Sequence, residues 1–237
     1  MTEWAQKRFW KTSLVEEQDK GFAILLDGRS IKTPARSTLI VPTKKLADAI
    51  AAEWQTQGEM INPLSMPFTR TSNAALDKVT QQFSEVADHM TEYGETDLLC
   101  YRTNAPSELV DRQAAAWDPL LSWAKEVFDA PLDVAQGVMY IPQPPRSLAN
   151  LKAQITQLSA FQLSGMYDLV SLSGSLVAAL AVLNHHKTAA EIWDLCRVDE
   201  IWQQEQWGLD EEAQKTESVK RAEFVHASDF ISTLSCL

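Results

Sequence analysis

Residues 166–183 form the most apolar stretch of the chain, reading MYDLVSLSGSLVAALAVL. Its polar residues are mostly serines and Gly174, and Asp168 lies in what would be its first turn. A helix that is apolar on every side is either buried in a large core or spans a membrane, and a membrane span needs about 20 apolar residues. Because this stretch is shorter, it predicts a buried central helix at residues 166–183, against which the other helices pack.

The first 66 residues predict a small β-rich domain with one helix. Four short strands are expected, at residues 9–15, 21–26, 30–33 and 38–41. Asp27-Gly28 is a strong signal for a hairpin turn between the second and third of them. Pro42-Thr43 then opens a helix whose apolar stripe contains Leu46, Ile50 and Trp54.

From residue 67 to residue 237 the sequence predicts only helices. A glycine and two prolines between residues 58 and 67 interrupt regular structure and mark a boundary. Apolar residues then recur at helical spacing, Thr188 and Glu191 have the spacing of a capping box, and Val219 belongs to the apolar stripe of the last helix. The predicted fold class is α+β, with a small β-rich N-terminal domain (residues 1–66) followed by a larger all-helical domain (residues 67–237).

The charge of the chain is large and unevenly distributed. The net charge of −11 disfavours a general nucleic-acid binder and electrostatic attachment to anionic membranes. Residues 1–45 hold nine Lys or Arg against five Asp or Glu, whereas residues 188–217 hold two against nine. An acidic run is usually a solvated helix face, but this one also contains three tryptophans, and aromatic residues are enriched in protein contacts.

The chain has three widely spaced cysteines and no CxxC pair, which predicts a reducing compartment and no disulfide framework. Its first residues, MTEWAQKRFW, contain no apolar segment of a secretory signal. We therefore expect the protein to stay in the compartment where it is made.

No sequence motif for catalysis stands out. Phosphate-binding, dinucleotide-binding and nucleophile-elbow motifs are absent. His185 and His186 form the only histidine cluster, but neighbouring helical residues point about 100° apart and do not readily ligate one metal ion. Cys196 lies among apolar residues and is predicted to be packed rather than nucleophilic. We predict no enzyme, no metal and no cofactor; a small metal-dependent hydrolase using His185, His186 and nearby carboxylates, or a stable structural subunit, is the alternative.

Six segments, in order along nearly the whole chain, resemble one protein family. They are LDGRSIKTPARSTLIVPTKKLADAIAAEW, INPLSMPFTRTSNAALD, TDLLCYR, RQAAAWDPLLSWA, LSGSLVAALA and WGLDEEA. The family is that of the assembly chaperones that handle the α subunit of the catalytic head of F-type ATP synthase. The resemblance implies a β-rich domain followed by a helical one, with neither catalysis nor a cofactor.

The resemblance also implies a partner and a location. The partner is the unassembled α subunit, whose subunit interface would be shielded until the β subunit replaces the chaperone. Eukaryotic members are mitochondrial and carry a transit peptide; this chain resembles the bacterial form, expected in the cytoplasm and as a monomer when free. By analogy, the binding residues are expected around WGLDEEA, and they are Glu205, Trp207, Asp210, Glu211 and Glu212. Trp54 and Trp117 are expected in the core.

Overall fold

The computed structural model of the protein describes residues 7–235. Its fold class is α+β, as the sequence predicts, with strands between residues 13 and 41 and a mostly helical remainder. The chain divides into two compact units. The first comprises the chain up to Phe83, Ser159–Gly165 and the segment from Asp229, and the second comprises Ser84–Leu158 and Met166–Ser228. The domain boundary between residues 66 and 67 stays a prediction.

The sheet of the first unit is built around β2 (Gly21–Leu26), which is apolar and largely buried. Strand β1 (Ser13–Gln18) pairs antiparallel with β2 along its whole length. Strands β3 (Arg29–Ser30) and β4 (Ile40–Val41) pair antiparallel with opposite ends of β2. The central strand is therefore the one whose sequence is most apolar.

The hairpin between β2 and β3 turns at Asp27 and Gly28, as the sequence predicts. Both residues have positive φ, 47° and 81°, which is the backbone of a tight two-residue hairpin. The carboxylate of Asp27 accepts hydrogen bonds from the N–H groups of Lys11 and Thr12, at 2.9 to 3.1 Å. Because a side chain holds the backbone there, β1 begins at Ser13, and the predicted start at residue 9 is wrong.

Helix α1 (Lys44–Gln55) begins after Thr43, whose hydroxyl accepts a hydrogen bond from the N–H of Leu46 at 3.2 Å. This is a standard N-cap. The helix lies on the sheet and completes a core whose buried residues are Trp10, Ile24, Leu26, Ile31, Leu39, Val41, Leu46, Ala47, Ile50 and Phe230. Trp54, predicted in the core, is partly buried and packs against this cluster.

Glu53, in the last turn of α1, fixes the start of α2 (Pro67–Ala74). Its buried carboxylate accepts hydrogen bonds from the N–H groups of Phe68 and Thr69, at 2.6 and 2.8 Å. These are N–H groups that a helix cannot satisfy internally. A π-helical turn, Ala75–Val79, continues α2.

The remaining helices are α3 (Phe83–Glu92), α4 (Ser107–Phe128), α5 (Pro145–Thr156), α6 (Ala160–Ser173), α7 (Leu176–Leu183), α8 (Ala189–Leu195), α9 (Val198–Trp207) and α10 (Glu211–Thr233). Two strands of two residues, β5 (Tyr101–Arg102) and β6 (Ala135–Gln136), form a parallel pair that is too short to show in the sequence pattern. Between residues 7 and 235, the structure contains no helix that combines the length and the apolar character needed to cross a membrane.

The single helix predicted at residues 166–183 is wrong, because this stretch holds the end of α6 and the whole of α7. Gly174, with a φ of 72°, ends α6 in the left-handed conformation that glycine adopts readily. Ser175 then caps α7 by accepting a hydrogen bond from the N–H of Ala178. All side chains of α7 from Leu176 to Val182 are buried.

The N terminus of α7 is also held by Asp97, which is fully buried. One carboxylate oxygen accepts a hydrogen bond from the N–H of Val177 at 3.1 Å, and the other accepts one from the N–H of Leu99 at 3.0 Å. Burial raises the pKa of Asp97 from its ordinary 3.8 to about 6, although its hydrogen bonds act in the opposite direction. Asp97 thus joins the Leu99 segment to α7. Burying its carboxyl costs free energy, which these hydrogen bonds offset in part.

Candidate partner-binding site

The predicted binding residues lie where α9 ends and α10 begins. Gly208, with a φ of 90°, ends α9 directly after Trp207. Every residue from Glu205 to Thr216 is exposed. We call residues 205–212 the acidic arm, because they carry four carboxylates and no cationic side chain.

Glu205 is engaged with the body of the second unit. Its carboxylate accepts a hydrogen bond of 2.7 Å from Arg112 on α4, and Arg112 also donates to Glu108 at 3.2 Å. The guanidinium of Arg112 lies over the ring of Trp202, 4.8 Å from its centroid. The ion pair and the cation–π contact together fix α9 against α4.

Asp210 has a local structural role. One oxygen of its carboxylate accepts hydrogen bonds from the N–H groups of Glu212 and Ala213, at 2.8 and 3.2 Å. This is the bonding of an N-cap, a position at which Asp is strongly favoured. Asp210 therefore fixes the direction in which α10 leaves the arm.

Glu211 and Glu212 form the first turn of α10 and are exposed. Carboxylates are stabilised at a helix N terminus by the helix dipole. Within the described part of the chain, no ion pair is formed with either carboxylate. Both are therefore accessible to a basic partner.

Trp207 and Leu209 are the apolar residues of the arm. They are 79% and 64% exposed and flank Gly208. Trp207 was predicted as a binding residue and Leu209 was not. The WGL sequence was a usable signal, because it places two large apolar residues beside a helix-ending glycine. Tryptophan is enriched among residues that dominate binding energy at protein interfaces, so the arm combines an aromatic anchor with free carboxylates.

The first half of α10 is solvated, contrary to the predicted apolar stripe. Val219 is 59% exposed, and burial along the helix begins only at Phe224. The groove beside this half is an open depression of about 710 Å³, lined by Glu211, Gln214, Lys215, Glu217, Ser218 and Val219. Such an open surface suits a macromolecule better than an enclosed small ligand.

Contacts with α8 hold this solvated helix in place. The indole N–H of Trp193 donates to the carboxylate of Glu217 at 3.3 Å, and the rings of Trp193 and Phe224 lie 5.4 Å apart. Arg197 covers the face of Trp193 at 4.5 Å. The arm is thus anchored on both sides, through α9 and through α10.

The sequence of residues 7–125 matches the family described as ATP12 chaperone protein. The chain belongs to the ATP12 chaperone family. The resemblance to a chaperone family found in the sequence is therefore confirmed. The match ends before the acidic arm, which is covered only by the comparisons with whole chains.

Solved structures and a curated relative extend the likeness of this ATP12-family chain to nearly its whole length. Atp12 of Paracoccus denitrificans is 42% identical, with a TM-score of 0.95, and the match covers 98% of this chain and 100% of that one. A candidate chaperone from Agrobacterium tumefaciens is 36% identical, with a TM-score of 0.92 and coverage of 97% and 86%. The mitochondrial protein atp12 of Schizosaccharomyces pombe is 24% identical over an alignment 230 residues long, and the match covers 90% of this chain and 77% of that protein.

Within residues 7–235, the histidines named for the alternative hydrolase do not belong to a cluster of metal-binding side chains. His185 and His186 are exposed, and the ring of His186 stacks on Trp123 at 4.7 Å. Residues 7–235 contain no cluster of three or more His, Cys, Asp or Glu side chains that could hold a metal ion.

The cysteines of the described region are unsuited to nucleophilic chemistry. Cys196 is 3% exposed, and burial raises its pKa to about 12. Burial likewise raises the pKa of Cys100. Both are free thiols, and Cys236 lies outside the described residues.

Proposed function

We propose that this ATP12-family chaperone binds the unassembled α subunit of F-type ATP synthase through the acidic arm and releases it when the β subunit takes its place. Family membership supports the broader role, that of a chaperone in ATP synthase assembly. The observation that carries the finer proposal is the arm itself, in which the 79% exposed Trp207 lies beside accessible carboxylates.

The residues of the arm divide into two roles. Trp207, Glu211 and Glu212 contact the client, because their side chains are exposed and are not used to hold the fold. Glu205 and Asp210 hold the shape of the arm through Arg112 and through the start of α10. The client surface that fits the arm is an apolar recess bordered by Lys or Arg side chains.

Such a complex should be displaceable. An isolated α subunit exposes the apolar surface that it later buries against a β subunit, and exposed surfaces of this kind lead to aggregation. The arm covers a small area and relies partly on charges that salt screens. Because mass action decides between competing partners, a β subunit with a larger and drier interface replaces the chaperone.

The same proposal covers the other expected properties. The chaperone acts by binding alone, without catalysis, metal or cofactor, and it binds neither nucleic acid nor membrane. It is a monomer when free and works in the bacterial cytoplasm, where the catalytic head is assembled.

The proposal is tested by measuring the affinity of the purified protein for isolated α subunit at low salt. The double variant Glu211→Lys/Glu212→Lys reverses the two accessible carboxylates. We expect its affinity to fall at least tenfold, because each reversal places like charges against the basic border of the client. It should remain folded, since a reversed charge at a helix N terminus costs only about 0.3–1 kcal/mol.

A matched control is offered by Glu16 and Glu17 on β1, which are also adjacent and exposed. The variant Glu16→Lys/Glu17→Lys changes the net charge by the same amount and should bind α subunit normally. If both variants weakened the affinity for α subunit equally, the effect would come from the change in net charge and not from the arm. Unchanged binding by the arm variant would reject the arm, and capture of β subunit alone would reassign the client.

A further inference from the structure

A second exposed apolar surface lies on the connection between α4 and α5. Val138, Met139 and Tyr140 are 94%, 76% and 58% exposed. Consecutive exposed apolar residues are unfavourable on a protein surface unless they serve an interaction. None of these residues belongs to the acidic arm.

The backbone below these residues is held firmly. Gln143 is only 4% exposed, its side-chain oxygen accepts a hydrogen bond from the N–H of Asp133 at 2.8 Å, and its side-chain nitrogen donates to the carbonyl of Asp133 at 3.0 Å. Within the loop, the N–H of Gly137 donates to the carbonyl of Arg102 at 2.7 Å, next to the β5–β6 pair. Residues 133–143 thus form a compact loop closed at its base, a type that is frequently functional; we call it the apolar loop.

Beyond Asp133, the exposed apolar loop carries no charged side chain. Residues 134–145 contain no Asp, Glu, Lys or Arg, although charged residues make up 22% of the chain and its net charge is −11. Because the tip carries no charge, apolar contact is the main interaction that it offers to a partner.

We propose that the apolar loop is a second client contact, in which Val138, Met139 and Tyr140 pack against the apolar surface that the unassembled α subunit exposes. This inference rests on the proposed function for the identity of the client. The flexible thioether of Met139 adapts to irregular apolar surfaces, and the phenol of Tyr140 combines apolar area with a hydrogen-bonding group.

Size and charge favour a client over the other occupants. The three side chains offer on the order of 400 Å², whereas each partner of a stable dimer buries about 800 Å², so a second copy of this chain is poorly supported. The strongly acidic chain is repelled by anionic membranes. A small, uncharged contact fits a transient complex in which the acidic arm supplies a further contact.

The two contacts differ in their response to salt, and this difference makes the inference testable. Charge contacts are screened as ionic strength rises, whereas burial of apolar surface is not. The variant Val138→Ser/Met139→Ser removes the two most exposed apolar residues of the tip. We expect its affinity for isolated α subunit to fall about tenfold, in 50 mM and in 500 mM NaCl alike.

A matched control removes two exposed apolar side chains elsewhere. Leu14 and Leu64 of the first unit are 59% and 77% exposed, and Leu14→Ser/Leu64→Ser should bind α subunit like the wild type. If the loop variant also binds like the wild type, the inference is wrong while the proposed function stands. If the wild type binds no α subunit at either salt concentration, the proposed function fails and the inference fails with it.

Two further measurements identify other occupants. Sedimentation of the free wild type and the loop variant would reveal a dimer that depends on the tip. Co-sedimentation with phosphatidylcholine vesicles would reveal membrane binding that depends on it. Either result would overturn the inference. A monomeric wild type that does not co-sediment with vesicles would agree with it.

Discussion

Arg112 on α4 donates a 2.7 Å hydrogen bond to the carboxylate of Glu205, the first residue of the acidic arm. The same guanidinium covers Trp202, one turn earlier on α9. A carboxylate expected to meet the client is therefore already paired within the chain. Its main effect is to orient α9, and so the direction in which Trp207 leaves the body of the protein.

The Arg112–Glu205 pair should contribute little to stability. The two side chains are 38% and 44% exposed, and exposed ion pairs contribute about 0.2–1 kcal/mol because water and salt screen them. A double-mutant cycle of Arg112→Ala and Glu205→Ala, measured by urea unfolding, should give a coupling within this range. A coupling above about 2 kcal/mol would contradict the expectation of a screened pair.

Trp207→Ala should separate binding from folding. Because its side chain is 79% exposed, the free energy of unfolding should change by less than about 0.5 kcal/mol. Binding to α subunit should weaken by about 2 kcal/mol, the scale of an interface hot spot. Isothermal titration and urea unfolding of the same preparation give both quantities.

Trp117 supplies the comparison for that variant. It is 1% exposed, and its indole N–H donates to the carbonyl of Leu195 at 2.6 Å. Trp117→Ala should therefore cost about 3–5 kcal/mol of stability. If Trp207→Ala destabilised the protein comparably, a binding defect could not be assigned to a lost client contact.

Asp97 should make stability depend on pH in the mildly acidic range. Its pKa is about 6 in the folded state against an ordinary 3.8, so between about pH 4 and pH 6 the folded protein keeps a proton that the unfolded chain has released. Its contribution is therefore complete below about pH 4 and is lost as the pH rises to about 6. At about 1.4 kcal/mol per pKa unit, the loss is roughly 3 kcal/mol.

The measurement compares the free energies of unfolding of wild type and Asp97→Asn across this pH range. Asparagine does not titrate. Its amide N–H₂ group cannot accept a hydrogen bond from a backbone N–H, so we expect the variant to be less stable than the wild type over the whole pH range. The difference between the two proteins should shrink by roughly 3 kcal/mol from pH 4 to pH 6. A constant difference would mean that Asp97 does not titrate there.

Gly21 should tolerate substitution much less than Gly28. Both have positive φ, 134° and 81°, but a Cβ on Gly21 would lie 2.4 Å from the carbonyl oxygen of Val41, whereas a Cβ on Gly28 would meet nothing within 4 Å. Gly28→Ala should cost about 1–2 kcal/mol from backbone strain alone. Gly21→Ala should cost clearly more, because β4 must also move away from β2. Equal thermal unfolding midpoints would refute this ranking.

Local sequence signals predicted the parts of the fold that depend on local chemistry. Asp27 and Gly28 encode their own turn, Thr43 caps its own helix, and Thr188 with Glu191 forms the predicted capping box. The division of residues 166–183 was missed because Gly174 interrupts the helix without interrupting the apolar character of the sequence. The support that α7 receives from Asp97 comes from a residue about 80 positions away, which no local pattern reveals.

The five candidate binding residues stay a prediction, and the sequence did not indicate which of them are used in contacts within the chain. The resemblance supplied the five arm residues, but only side-chain partners show that Glu205 and Asp210 are engaged while Glu211 and Glu212 are accessible. The apolar loop was not among the predicted binding residues. The charge-free run of residues 134–145 was a usable signal, since an exposed connection ordinarily carries charge.

The double hydrogen bond of Gln143 to Asp133 also bears on the entropy of association. Fixing the backbone of one residue costs about 1–2 kcal/mol, and this cost falls on whichever process orders the chain. Gln143 closes the base of the apolar loop during folding. The entropy cost of ordering that base is therefore not part of the free energy of binding a client. If the loop contacts the client as proposed, binding through its tip should therefore cost less conformational entropy than binding through a disordered segment of the same sequence.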